Sequence, residues 1–194
     1  MAYFSAAMSR PAAKRPARLE DLLGVPDHLI GEIVDEEIVT SPRPSARHAA
    51  ASSALGELLG PPFKRGLGGP GGWVILDEPE LHIVGQVLVP DLAGWRRERM
   101  PEIPDAAFFE LAPDWVCEVL SPRTAALDRT RKRDHYGRAG VTHLWLVDPD
   151  PRTLEAYRAD GDSWRLAFSA AGDVVVRVEP FEALDLDLAI VWAL

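Results

Sequence analysis

Asp91 and Glu118 are the residues of this 194-residue chain best suited to chemistry. Asp91 stands in QVLVPDLAGW (86–95) and Glu118 in DWVCEVLSP (114–122), both otherwise apolar runs that read as core strands. A charge carried into such a strand costs several kcal/mol unless it is paired or ligates a metal. Two such strands in one small protein predict a site. Lys132 is the third candidate. In a helix predicted over 124–139, Asp128, Lys132 and Tyr136 stack at i, i+4 and i+8 on one face with Ala125 and Ala139, and Thr130, Arg133, Asp134 and Arg138 turn to solvent. The helix follows the Glu118 strand directly and packs back toward it. A lysine aimed at two carboxylates suits phosphodiester hydrolysis: the acids hold magnesium, a hard cation that keeps several waters, with manganese as an alternative. The metal activates a water, and the lysine orients or helps deprotonate it, its pKa falling if it is partly buried.

Each residue also has a plainer role. Asp91, after Pro90, can cap a turn; Glu118 can form a structural ion pair with Lys132; Lys132, inside RTRKR (129–133), can be surface charge. His48 reads as an exposed helix histidine or a polar residue near the site, and Cys117 as packing on the strand face opposite Glu118.

The elements that must position these groups follow in order. Residues 1–18, rich in Ala, Pro and Arg, are expected to be a disordered or extended arm, and 19–194 a single domain. EIVD and EIVTS around Asp35–Glu36 predict a hairpin whose turn lacks the favoured glycine. Ser45 is a candidate N-cap for ARHAAASSALGELLG, which Gly60, Pro61 and Pro62 are expected to stop. The glycines of GLGGPGG (66–72) precede a strand, not a helix, and so form a loop without a phosphate cradle. WVILDEPELHIV and QVLVPDLAGW each read as one strand, and RRERMPEIPDAAFFELAP as a loop exposing Phe108 and Phe109. After the 124–139 helix, closed by Gly140, come VTHLWLVDP and an alternating β meander through RTLEAYRAD, DSWRLAFSA and DVVVRVEP, with ALDLDLAIVW closing the chain. The expected fold is α/β (α+β), a central mixed sheet flanked by two helices, with an N-terminal hairpin and a C-terminal meander. The tryptophans at 95, 115, 145, 164 and 192 are assigned to the core.

Composition narrows the function. No run approaches the ~18 apolar residues of a membrane span, and MAYFSAAMSRPAAKRPARLEDLL lacks the apolar stretch of a secretory signal. A lone cysteine excludes a disulfide framework and suits a reducing, cytoplasmic setting. With 30 acidic against 21 basic residues, the net charge of −9 weighs against general affinity for nucleic acid. A DNA-binding reading must therefore find its cations locally, in Arg96, Arg97 and Arg99 after the Asp91 strand or in Arg123, Arg129, Arg131 and Arg133 around the second helix. The alternative for either cluster is a solvated charge run balanced by Glu98, Glu102 and Asp134.

The elements LVPDLAGW, PDWVCEVLSP, DRTRKRDHYGRAGV and HLWLVDP, taken together, resemble the Uma-two family of restriction endonucleases, within the PD-(D/E)XK nuclease superfamily. The resemblance runs from about Glu32 to the last strand. It implies a restriction-endonuclease-like core and a magnesium-dependent endodeoxyribonuclease with Asp91, Glu118 and Lys132 as catalytic residues, the two acids holding the metal. The superfamily's lysine two places after the glutamate is Leu120 here; the resemblance implies that Lys132 replaces it from the following helix. His48, Glu80 and, more weakly, Glu37 match polar positions near the family's site, and Tyr136, Arg96 and Arg97 complete the binding candidates. DNA is the implied partner, acted on by a homodimer that pairs two sites. The alternative is a catalytically degenerate module that keeps the scaffold and binds DNA or protein.

Overall fold

The computed structural model describes residues 15–161 and 163–193. Most of the expected arm (1–14) lies outside the described residues, whereas Ala17 is tied down, its N–H donating to the Glu36 carbonyl at 2.7 Å. A short helix α1 (Leu19–Leu22) leads into strands β1 (Leu29–Val34) and β2 (Glu37–Pro42), which form the predicted hairpin with Val34 opposite Glu37. Its two-residue turn holds Asp35 at φ 51° and Glu36 at φ 64°, the left-handed region a glycine enters freely. Tertiary bonds offset that cost: the Asp35 carboxylate accepts from Arg131 Nε at 2.5 Å and meets His135 Nε2 at 2.8 Å. These contacts account for the missing glycine.

Helix α2 (Ala46–Leu59) starts at Ser45, whose Oγ accepts the His48 N–H at 3.3 Å, and buries Ala51, Leu55 and Leu59. It does not stop at Gly60 as predicted. Gly60–Lys64 continue it by one π-helical turn, because burial of Pro62 and Phe63 holds that turn against the core.

The two long predicted strands both break. WVILDEPELHIV supplies β3 (Trp73–Asp77) and β4 (Leu81–Ile83), and QVLVPDLAGW supplies β5 (Gln86–Leu88) and β6 (Leu92–Arg96). The breaks fall at Pro79 and Pro90, which have no N–H for a ladder, and Glu78 at φ 44° bends the first. The halves then join different sheets. A four-stranded sheet runs β2-β1-β5-β4. A six-stranded sheet collects β3 and β6 with β7 (Trp115–Val119), β8 (His143–Asp148), β9 (Thr153–Asp160) and β10 (Ser163–Ala171), in the order β10-β9-β8-β7-β6-β3. Apolar continuity alone cannot show that a chain changes sheets midway.

In the larger sheet β7 and β8 pair in parallel and the other neighbours antiparallel, so it is mixed, as expected. The parallel crossover is the second predicted helix: α3 (Ala125–Leu127), a π-helical turn (Asp128–Lys132) and α4 (Arg133–Arg138), closed by Gly140 at φ 88°. The C-terminal meander ends sooner than predicted. β11 (Val175–Val176) pairs only with β12 (Leu186–Asp187), and the closing segment ALDLDLAIVW ends in helix α5 (Leu188–Trp192), which Asp187 caps by accepting the Ala189 N–H at 3.0 Å.

The two faces of the large sheet bury separate cores. Trp115, Cys117 and Trp145 face Phe181 together with α2 and α5, whereas Val116 and Leu120 face Tyr136 of α4 and the smaller sheet. Glu118 belongs to the second face, opposite Cys117 as predicted. Trp95, Trp115, Trp145 and Trp192 are buried, and Trp164 is half-buried with its Nε1–H donating to the Arg133 carbonyl at 2.8 Å. Phe109, expected to be exposed, is buried against Trp95 with ring centroids 4.9 Å apart, and Phe108 stacks on His82 at 3.9 Å. Among the described residues no helix is long and apolar enough to cross a membrane.

Candidate active site

The break at Pro90 carries the chain from the smaller sheet to the larger, and the candidate site lies at that junction. Asp91 enters β6 beside the end of β7, and its Oδ2 accepts the Val119 N–H at 2.7 Å. Its other oxygen, Oδ1, lies 2.5 Å from His48 Nε2 on the first turn of α2. Both partners are remote in sequence, so the carboxylate ties strand and helix together and caps no local turn, and Asp91 also lines a cavity.

Glu118, in the middle of β7, is almost fully buried. Its Oε1 accepts from the Tyr136 hydroxyl at 2.6 Å and from Lys132 Nζ at 2.9 Å. Lys132 and Tyr136, one helical turn apart, therefore meet the same oxygen. Lys132 is also 2.9 Å from Glu32 Oε1 and 3.6 Å from Asp128 Oδ1, its preceding-turn neighbour. Glu32 in turn accepts the N–H of Val89, just past the neighbouring strand β5, at 2.8 Å. The structure thus brings Asp91, Glu118, Lys132, Tyr136 and His48 together.

Two members were not assigned from the sequence. Glu32 sits in what reads as an ordinary hairpin strand; its signal is the one that exposed Glu118, an acid with apolar Ile30 and Val34 on its own face. Asp128 was visible on the helical face with Lys132, but nothing in the spacing assigned it a role.

Charge decides the character of the cluster. Three carboxylates (Glu32, Glu118, Asp128) share the Lys132 ammonium while Asp91 pairs with His48, and the side chains of Lys132, Glu118, Glu32 and Asp128 are only 3%, 4%, 5% and 3% exposed. Burial, then repulsion from Asp128, Asp91 and Glu32, pushes the Glu118 carboxyl well above the usual range, against the pull of Lys132. Asp128 is raised too, again chiefly by burial. Burial alone would lower Lys132, but the carboxylates of Glu118 and Glu32 outweigh it and hold the ammonium well above an ordinary lysine. This corrects the expectation of a depressed lysine pKa: burial among carboxylates stabilises the charged form. Burial also opposes protonation of His48, yet Asp91, Asp128 and Glu78 prevail and raise it.

The remaining candidates lie elsewhere. Glu80 binds His82 Nε2 at 2.6 Å beside β4, and Glu37 pairs loosely with Arg131 at 3.5 Å on the hairpin. Arg96 and Arg97 sit at the far end of β6 from Asp91, roughly 16 Å away at a strand's rise per residue. Arg96 covers the face of Trp73 at 4.4 Å. Neither arginine borders the cavity, because β6 runs away from the sheet junction. Around the second helix, Arg129 is paired with Glu155 at 2.8 Å and Arg131 with Asp35, whereas Arg123 stands at the cavity mouth.

The cavity holds about 410 Å³. Asp91, Glu118, Asp128 and Lys132 line its floor, and Arg43 and Arg123 its rim. Among the described residues no three His, Cys, Asp or Glu side chains converge as a metal-ligand set. Two carboxylates beside an open cavity nonetheless fit magnesium, which is commonly held by one or two carboxylates while waters fill the other positions. The excess negative charge fits a divalent cation as well.

Residues 18–190 match Uma2, described as "Putative restriction endonuclease". The chain belongs to the Uma2 family. A crystal structure of a putative nuclease belonging to DUF820 from Anabaena variabilis ATCC 29413 is similar over 91% of this chain and 98% of that one, with a TM-score of 0.68 and 24% identity. At that identity the likeness establishes the fold. No curated protein matches the chain. The Uma2 assignment covers the hairpin, both helices and the two sheets, so Glu32 through Tyr136 all fall within the family's own span.

Proposed function

We propose that this Uma2 protein is a metal-dependent endonuclease that hydrolyses DNA phosphodiester bonds. One observation carries the reading: a lysine buried to 3% exposure, ion-paired to Glu118 and Glu32, beside an Asp91 carboxylate that borders an open cavity. A purely structural ion pair needs one acid for one base. Here the surplus of carboxylates calls for a further cation.

Asp91 and Glu118 would hold magnesium, or manganese in its place. The metal supplies a bound water of lowered pKa and positive charge against the phosphate. The protein's own groups do the rest. Val119 N–H and His48 fix Asp91 through its two oxygens, and the Tyr136 hydroxyl fixes Glu118. Lys132 spends two N–H groups on Glu118 and Glu32; its third faces Asp128 at 3.6 Å, beyond hydrogen-bond reach. Lys132 lines the cavity, where its ammonium would stabilise charge developing on a phosphate in the transition state. Lys132 therefore acts as an electrostatic donor and not as the base. A homodimer, in a reducing cytoplasm that suits the free Cys117, completes the reading.

One observation favours a second reading. Leu120, two residues after Glu118, is a core side chain at 2% exposure, so the usual place of the motif lysine is apolar. A module that retains the scaffold and binds DNA without cutting it would look the same there. The test is plasmid incubated with purified protein in magnesium or manganese, beside Asp91→Ala. Nicking by the wild type alone supports hydrolysis; equal nicking by both proteins sinks it.

A further inference from the structure

The floor of the cavity is recessed. Glu118 and Lys132 are 4% and 3% exposed, Asp91 14% and His48 12%, so every proposed reacting group lies below the surrounding surface. Two loops form the rim, Pro42–Arg43–Pro44 between β2 and α2 and Ser121–Pro122–Arg123 between β7 and α3. Proline fixes the backbone of both and limits how far the rim can spread.

The rim carries the opposite charge to the floor. Arg43 is exposed and donates only to the Asp27 carbonyl, at 3.3 Å. Arg123 is exposed and, among the described residues, has neither an ion-pair nor a hydrogen-bond partner. Arg65, Arg97, Arg138 and Arg165 are also exposed without an acid partner among the described residues, but none of them lines the cavity, whereas Arg43 and Arg123 do. In a chain of net charge −9, two uncommitted guanidiniums above an acidic floor are the feature a phosphate chain would meet first.

We propose that the cavity admits one unpaired nucleic-acid strand, gripped through its phosphates by Arg43 and Arg123, and not an intact duplex. The proposal rests on the nuclease reading for its chemistry, but the fit argument is independent of it. In a duplex the stacked pairs stand behind every phosphate. The backbone can lie along a groove but cannot follow a slot beneath its rim. An unpaired strand can bend so that a phosphate dips below the rim, which the backbone of a stacked duplex does only where its strands part. A cavity of about 410 Å³ bounded by proline-stiffened loops suits a nucleotide at a time. Substrates with single-stranded flaps, forks or frayed ends satisfy both the depth and the charge.

Binding and cleavage can be measured separately on one labelled oligonucleotide presented as a single strand, a blunt duplex and a flapped duplex. With magnesium present, the single strand and the flap are expected to bind at least tenfold more tightly than the blunt duplex. Arg43→Ala/Arg123→Ala should weaken single-strand binding and flatten its log–log salt dependence by about 1.4, the counterion release of two phosphates on a single strand. Both arginines are exposed, so the variant keeps its fold, which an unchanged melting curve verifies. Equal or tighter binding of the blunt duplex overturns the proposal, as does an unaltered salt slope in the double variant. Strand-selective binding with no cleavage of any of the three substrates supports the occupant and removes the hydrolytic reading.

Discussion

Replacing Lys132 by Met removes the sole ammonium from a pocket that holds Glu32, Glu118 and Asp128 at 2.9, 2.9 and 3.6 Å from it. Met matches the aliphatic stem, so the change is electrical more than steric. Breaking a buried pair by deleting one partner typically costs about 3–5 kcal/mol, because the survivor is left charged and dry. For a chain of this size each kcal/mol lowers Tm by about 2–4 °C, so the expected loss is roughly 6–20 °C. The sign with pH follows from the carboxyls. Glu118 and Asp128 already titrate above their ordinary values in the folded protein, and losing Lys132 raises them further. A carboxyl whose folded pKa is raised contributes stability that is fully present below its unfolded value, near 4, and is lost as pH rises through the folded pKa. The deficit of Lys132→Met should therefore be largest near pH 8 and shrink toward pH 5. Glu118→Gln added to Lys132→Met should recover part of it at pH 8. Thermal melts in chelator across that range decide the matter. A Tm within about 2 °C of wild type at pH 8, or a deficit that ignores pH, would falsify the assignment of Lys132 as the charge holding this cluster together.

Three other outcomes follow from the same geometry. Glu118→Gln is expected to abolish stoichiometric magnesium binding in calorimetry while raising the Tm of the metal-free protein, since it removes buried like charge beside Asp91 and Asp128; unchanged affinity would refute its role as a ligand. Glu36→Gly should stabilise the fold by about 1 kcal/mol in denaturant titration, because Glu36 occupies the left-handed region at φ 64° without the freedom of glycine; a loss of stability would show that its side chain matters more. His143 is held below the ordinary histidine value, chiefly by burial despite Glu179 nearby. Its contribution to stability is present above about pH 6.5, the unfolded value, and is lost as pH falls through the lower folded value. His143→Asn should flatten the stability profile on the acid side; an unchanged profile would exclude His143 as its source.

Much of the site was legible because chemistry leaves residues where packing would not. An acid between Cys117 and Val119 has no place in an apolar strand, and the 3.6-residue period alone put Asp128, Lys132 and Tyr136 on one stripe. What stayed hidden has a common cause. Pro79 and Pro90 mark strand breaks, but period-two patterning continues across them, so nothing local shows that β4 and β5 leave the larger sheet for the smaller. Without that switch the hairpin appears remote from Asp91, and Glu32 goes unnoticed. Arg96 and Arg97 were misplaced for the complementary reason: nearness in sequence along an extended strand is distance in space. The α5 helix has no signature in the sequence because Leu188–Trp192 is too short to display a helical period.

The bond between Lys132 and Glu32 also has a mechanical consequence. Glu32 belongs to the smaller sheet, and Lys132 to the crossover helix of the larger one. The lysine is thus a rivet between two layers, seconded by Arg131 and His135 on the hairpin turn. Whatever loosens the hairpin loosens the lysine, so a binder, a cleavage or a second subunit seated on β1 and β2 would govern the site without approaching the cavity. Amide exchange in that hairpin, faster than in the central strands, would then serve as a gauge of how often the site is assembled.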